Sequence, residues 1–376
     1  MVKIKKYTIS LILISSVLFT DKSSSGQTTY IPRYNTIAHK MLHIEDSLKL
    51  DFPGYKIFPD YKTLDALIDN SKTYITKKQN YSKEDIEKIV KKIYSDMINK
   101  IPEVKNRKQI CYETSLIYLA IGQENNLPFY AVTVPGTPEG HIFVRYDPNG
   151  EHDALNPNSE INKGDLDIET TSGKIHKDNN FLPIISDIKK ENYKKAIEKG
   201  IYLKNLNEKE LLSISYWNKA GKNIENQEYE KAIENCNKAI QLNPTSVQAY
   251  QIKGMTLKIE NNPNKDYKKS IESFTKAIEL NPEPTLYSER AKSLRGLKKY
   301  NESLEDYTIA IKKLREFAED AGSFYRFYDL KYAEINCLIG RALTFCKMKD
   351  LEKSEKDVNK AQKLAEKYFP DLYNSK

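Results

Sequence analysis

At 376 residues the chain is long enough for two ordinary domains, each able to bury its own core. Apolar residues make up 39% and charged residues 30%, a balance that excludes wholesale disorder and fits a soluble globular protein. The net charge is +8, but Lys and Glu are interspersed along nearly the whole length, as on solvated helix faces. No concentrated basic stripe with stacking aromatics stands out, so nucleic acid is not an expected partner.

The first 26 residues differ from the rest. Lys3, Lys5 and Lys6 precede an apolar run from Tyr7 to Phe19, and Asp21 to Gly26 are polar and serine-rich. A basic head followed by an apolar segment too short for a comfortable span is the layout of a secretory signal. Residues 1–26 are therefore read as a signal peptide, and an exported chain, periplasmic or secreted, is expected. The alternative is an uncleaved N-terminal anchor, since no A-x-A site follows. Further along no stretch approaches about 18 consecutive apolar residues, so the mature chain is expected to span no membrane.

Between Thr36 and Lys100 the sequence is helical in character. Ser82-Lys83-Glu84-Asp85 has the form of a capping box before Ile86, Ile89, Val90, Ile93 and Met97, an apolar stripe of helical period. His39 and His43 are four apart on one helix, but Lys40 stands where a zinc protease would need Glu, and two surface histidines are the expectation. Cys111 opens the next helix. Phe129–Val134 and His141–Tyr146 read as strands, Asp147-Pro-Asn-Gly as a turn, and the stretch from Leu166 as a third strand. His152 and His176 fall in no recognisable pattern, and no cofactor or metal motif is found.

Cys111, His141 and an acidic group in this order have a chemical logic. A cysteine at a helix N-terminus faces unpaired backbone N–H groups and the positive end of the helix dipole, both of which favour a thiolate. A histidine opening a nearby strand could act as its base, and an acid on the following strand could fix the imidazole tautomer. Gln109 could lend an oxyanion donor. Against this stands the ordinary use of a helical Cys as a small core residue and of a lone His as a structural one. The other cysteines, Cys236, Cys337 and Cys346, are too scattered for a disulfide framework and read as small apolar fillers.

The C-terminal half is periodic. Tyr229-x-x-Ala232-x-x-x-Cys236-x-x-Ala239-x-x-x-x-Pro244 recurs as Tyr267-x-x-Ser270-x-x-x-Phe274-x-x-Ala277-x-x-x-x-Pro282. It returns as Tyr300-x-x-Ser303-x-x-x-Tyr307-x-x-Ala310 and as Leu351-x-x-Ser354-x-x-x-Val358-x-x-Ala361. Small residues seven apart let two helices approach, and partner helices carry small residues of their own at Ala220, Gly254, Ala291 and Ala342. The pattern resembles the tetratricopeptide family over about four units, 213–246, 247–283, 284–317 and 335–368. A four-residue insertion lies near Asn261 to Asn264, and residues 313–334 add material between the third and fourth units. The resemblance implies a helical solenoid that takes a protein or peptide segment along its concave face.

A second resemblance covers roughly residues 85–376. Gln109-Ile-Cys111-Tyr-Glu-Thr-Ser-Leu-Ile-Tyr-Leu-Ala-Ile-Gly, Asn126-Leu-Pro-Phe-Tyr-Ala-Val, Gly140-His141-Ile-Phe-Val-Arg-Tyr and Asp167-Ile-Glu169-Thr-Thr together look like the transglutaminase-like superfamily. They are most similar to its bacterial group that joins such a core to tetratricopeptide repeats. The resemblance implies an α+β papain/transglutaminase-like domain over 27–206, followed by an all-α tetratricopeptide-repeat solenoid over 207–376. It also implies Cys111 as nucleophile and His141 as base. Glu169 is the expected third member, with Asn156 and Asp167 as reserves. The implied function is a cysteine-dependent hydrolase, peptidase or acyl transferase guided by its repeats; the alternative is a catalytically inactive exported scaffold that binds a protein partner.

Overall fold

A computed structural model describes residues 32–51, 59–78, 80–105, 111–134, 141–152, 159, 162–170, 172–177, 194, 196–319 and 324–370. The signal segment 1–26, Gln109 and Asn156 lie outside the described residues. The chain falls into two compact units: Met1–Leu182 with Tyr202–Lys219, and Pro183–Ile201 with Ala220–Lys376.

The first unit pairs helices with a small antiparallel sheet. Helices α1 (Ile37–Asp51), α2 (Tyr61–Ser71) and α3 (Lys83–Lys100) precede α4 (Cys111–Asn125). The capping box before α3 forms: the Ser82 Oγ accepts from the Asp85 N–H at 3.2 Å, and the Asp85 carboxylate accepts from the Ser82 N–H at 3.1 Å. The residues of α4 from Thr114 through Gly122 are all buried. A helix this apolar around its whole circumference belongs inside, and α4 packs on α1 and α2 as well as on the sheet.

The sheet runs β1 (Phe129–Val134), β2 (His141–Tyr146), β3 (Leu166–Glu169) and β4 (Lys174–Lys177), neighbours in that order. Ala131, Val144, Ile168 and Ile175 form one row across all four strands, and Tyr130, Arg145, Asp167 and His176 form the next. The first row joins the core that α4 completes. Gly122 is required at the contact, because a Cβ there would lie 2.8 Å from the Phe129 ring. The turn after β2 is as expected: the Asp147 Oδ1 accepts from the N–H groups of Asn149 (2.9 Å) and Gly150 (2.8 Å).

The second unit is a stack of antiparallel helix pairs. Helix α5 (Glu208–Glu225), whose residues up to Lys219 belong to the first unit, is followed by α6 (Tyr229–Leu242), then α7 (Val247–Leu257) and α8 (Tyr267–Leu280), α9 (Pro284–Gly296) and α10 (Tyr300–Glu319), and α11 (Phe324–Lys347) and α12 (Leu351–Tyr368). Helices α6 and α8 stop two residues before Pro244 and Pro282, where Asn243 and Asn281 take extended backbone.

Within pairs the turn is stereotyped. Gln227, Lys298 and Lys349 adopt φ of 62°, 62° and 65°, and the next N–H closes back on Asn223, Leu294 and Phe345 at 2.8, 2.9 and 3.0 Å. In the second pair the closure runs from the Asp266 N–H to the Leu257 carbonyl at 2.8 Å, and the inserted residues loop out between them. The described part of the material near 313–334 lengthens α10 to 20 residues and α11 to 24. The added turns of α11 pack through Phe327, Tyr328 and Tyr332 on Tyr368 and Phe369, with ring centroids 5.4 to 6.2 Å apart.

Candidate functional site

Cys111 is the first residue of α4, half-buried, with its thiol free of any disulfide. The helix start is fixed by a knot of buried hydroxyls: the Thr114 Oγ1 lies 2.7 Å from the Thr170 Oγ1, and the Ser115 Oγ lies 3.3 Å from it. Thr114 also donates to the Cys111 carbonyl at 3.3 Å. Thr170 directly follows Glu169, so the knot ties the first turn of α4 to the end of β3. One residue further along α4, the Tyr112 hydroxyl lies 2.9 Å from the Ser215 Oγ.

Glu169 is half-buried at the end of β3. Its carbonyl accepts from the N–H groups of Ser172 (3.2 Å) and Gly173 (2.8 Å), which turns the chain into β4. Gly173 has φ 64°, and a Cβ there would lie 2.7 Å from the Tyr94 ring, so both conformation and space demand glycine. The field of Glu169 reaches α4: burial first, then the charges of Tyr74, Tyr94 and Glu169, push the Tyr118 hydroxyl well above the usual tyrosine range.

His141 opens β2, opposite Val134 in the register; its ring lies outside the described residues. Strand alternation gives position 143 on β2 and position 169 on β3 the parity of the Arg145–Asp167 row, across the sheet from α4. Asp167 is committed elsewhere: its Oδ1 accepts from the buried Arg145 Nε at 2.8 Å, and the Arg145 Nη1 donates to the Leu203 carbonyl at 3.1 Å.

Two histidines behave differently from expectation. His39 is no surface residue: it is 4% exposed, its Nδ1 lies 2.8 Å from the Thr36 Oγ1, and its Nε2 lies 3.0 Å from the Asp65 Oδ1. Both ring nitrogens are thereby engaged, while His43 stays exposed. His152 is buried against Asp165 at 2.7 Å, across a hairpin that sequence spacing alone does not pair. Burial pushes the Asp165 carboxyl up against the opposing pull of His152.

In the repeats the small hydroxyls do more than make room. Ser270, Ser303 and Ser354 donate to the carbonyls of Gly254, Ala291 and Ala342 at 2.7, 2.8 and 2.9 Å, locking the second helix onto the first in the second, third and fourth pairs. A second recurring contact is not part of the apolar pattern. Arg290 grips Asp306 through two bonds of 2.8 Å and reaches the Thr275 Oγ1 at 3.0 Å. Arg341 does the same with Asp357 at 2.7 and 2.9 Å and with the Thr308 Oγ1 at 3.0 Å. Arg and Asp at matched positions of successive units are the signal that could have revealed it.

Residues 215–246 and 247–284 are tetratricopeptide repeats, each matching the family model of that name. The repeat region is thus a protein-interaction domain of the tetratricopeptide type. Among solved structures, MamA is similar at 16% identity and TM-score 0.32, over 50% of this chain and 92% of that one. YrrB, a tetratricopeptide protein with an unusual peptide-binding site, is similar at 18% identity and TM-score 0.26, over 48% of this chain and 96% of its own. Likeness at this level says nothing of partners or activity. No curated protein matches the chain in sequence. Among the described residues no helix is long and apolar enough to cross a membrane.

Proposed function

We propose that the protein is an exported, cysteine-dependent hydrolase or acyl transferase of the transglutaminase-like kind, whose tetratricopeptide repeats bind a protein or peptide segment along their concave face. The observation that carries this reading is the hydroxyl knot joining the Cys111 turn of α4 to the strand end that bears Glu169. In this mechanism the Cys111 Sγ, deprotonated by His141, attacks an amide or thioester carbonyl. The C–N or C–S bond breaks, the leaving group takes the proton from the imidazolium, and the acyl group remains on sulfur. Water or an amine then attacks the thioester and restores the thiol. Glu169 orients the imidazole.

A second reading, an exported scaffold with a silent front unit, is favoured by the strand parity that gives Glu169 the side of the sheet across from α4. The two part on thiol reactivity. Burial pushes the Cys236 and Cys337 thiols up to about 12, so both stay unlabelled in the folded chain, whereas Cys346 is exposed and must be replaced by Ser. In that background Cys111 should react with iodoacetamide at pH 7 at least about ten-fold faster than in the His141→Ala variant. Equal rates at unchanged helical content would establish the silent scaffold.

A further inference from the structure

The front unit carries a groove that the proposed acyl chemistry does not use. Its volume is about 610 Å³, with Glu87, Lys91 and Tyr94 along one side and Ser172, Lys174 and Ile175 along the other. The first three stand at i, i+4 and i+7 of α3 and so share one face of that helix. The other three belong to the turn out of β3 and the start of β4. Between them the turn is pressed onto the helix, because the Tyr94 ring takes the space that a Cβ on Gly173 would need.

The polar groups of this groove are left without partners. Glu87 and Lys91 are one helical turn apart, a spacing that favours pairing, yet neither forms an ion pair with the other or with any described residue. Lys174 is exposed opposite Glu169 in the register and is likewise unpaired. The Ser172 Oγ is buried with no hydrogen-bond partner. Having no bond to hold its rotamer, that hydroxyl is free to turn into the groove it lines.

These groups select the ligand. Two ammonium groups against one carboxylate leave a single surplus positive charge, which a monoanion balances. A phosphate ester, close to two negative charges at pH 7, would set its second charge against Glu87. A carboxylate can accept from both lysines and from a serine hydroxyl at once. The Tyr94 ring and Ile175 supply an apolar wall for a carbon chain behind it.

We propose that this groove binds a single carboxylate carried on an aliphatic chain, as at the C-terminus of a peptide, with Lys91, Lys174 and Ser172 donating to the carboxylate. The site stands whether or not Cys111 is reactive.

Saturation-transfer NMR on the full chain at pH 7, with N-acetyl-leucine as the probe, tests this. The probe should bind with a dissociation constant of about 1 mM or below, and N-acetyl-leucinamide, which lacks the charge, at least about ten-fold more weakly. Lys91→Ala combined with Lys174→Ala should weaken binding at least about ten-fold and Ser172→Ala about three-fold, at unchanged circular dichroism. Glu87→Gln should tighten it about three-fold by removing the opposing charge. Equal affinity for acid and amide would overturn the proposal, as would a double Lys variant that binds like wild type, phenyl phosphate binding more tightly than N-acetyl-leucine, or no binding up to about 20 mM. N-acetylglutamate α-amide carries its carboxylate on a side chain, and tighter binding of that probe would overturn the terminal source in favour of an acidic side chain.

Discussion

The repeats and the front unit satisfy their buried polar groups in opposite ways. In the repeats the same contacts come back: a Ser hydroxyl on the partner helix carbonyl in the second, third and fourth pairs, and an Arg fork on an Asp sixteen residues later in the third and fourth. In the front unit each contact is made once and over a long stretch of chain, as in His39–Asp65, Arg145–Asp167 and Thr114–Thr170. A recurring contact tolerates a local fault, because each pair leans only on its neighbours. A contact made once has no substitute, and its loss should spread through the whole unit.

Asp167→Ala attacks that difference hardest. It leaves the Arg145 guanidinium, 2% exposed, without its carboxylate. A loss of about 3–5 kcal/mol is expected from denaturant unfolding followed by Trp217, the single Trp, which packs on the front core. An unchanged midpoint would mean that the pair is as dispensable as a surface one. Gly340→Ala should cost less, about 1–3 kcal/mol by circular dichroism, because its Cβ meets the Tyr307 ring but only one junction in the stack is strained. A collapse of all helical signal in that variant would show that the pairs are not locally independent.

The smallest effect is a pH dependence within the repeats. Burial raises the Glu289 carboxyl, but Lys258 and Lys292 outweigh it and hold the group at about 2, below the usual value of 4.5. A depressed carboxyl stabilises the fold above its ordinary value, and that contribution is lost as pH falls from about 4.5 toward 2. Glu289→Gln should flatten the acid side of the stability profile in that window. A profile identical to wild type would remove the ion pairs from the account.

Legibility followed the same divide. The spacing of Ala232, Cys236 and Ala239 and its echoes specify helix, partner face and turn from nearby residues, so the repeats could be read in the sequence. The strands at Phe129–Val134 and His141–Tyr146 were equally legible from alternation and the Asp147 turn. His39, by contrast, owes its burial to Asp65 on the next helix, and nothing in its own helix announces that. The lengthening of α10 and α11 was hidden because the aromatics that justify it, Phe327 and Tyr368, meet only after the chain has turned back. Asp167 and Glu169 lie two apart on one strand, yet only the cross-strand register reveals that Asp167 is held by Arg145.

The direct test of the front unit is a crystal structure that locates the His141 ring. An active Cys–His pair predicts a ring nitrogen roughly 3–4 Å from the Cys111 Sγ with Glu169 on its far side. A ring with neither nitrogen within about 5 Å of the Cys111 Sγ would contradict it.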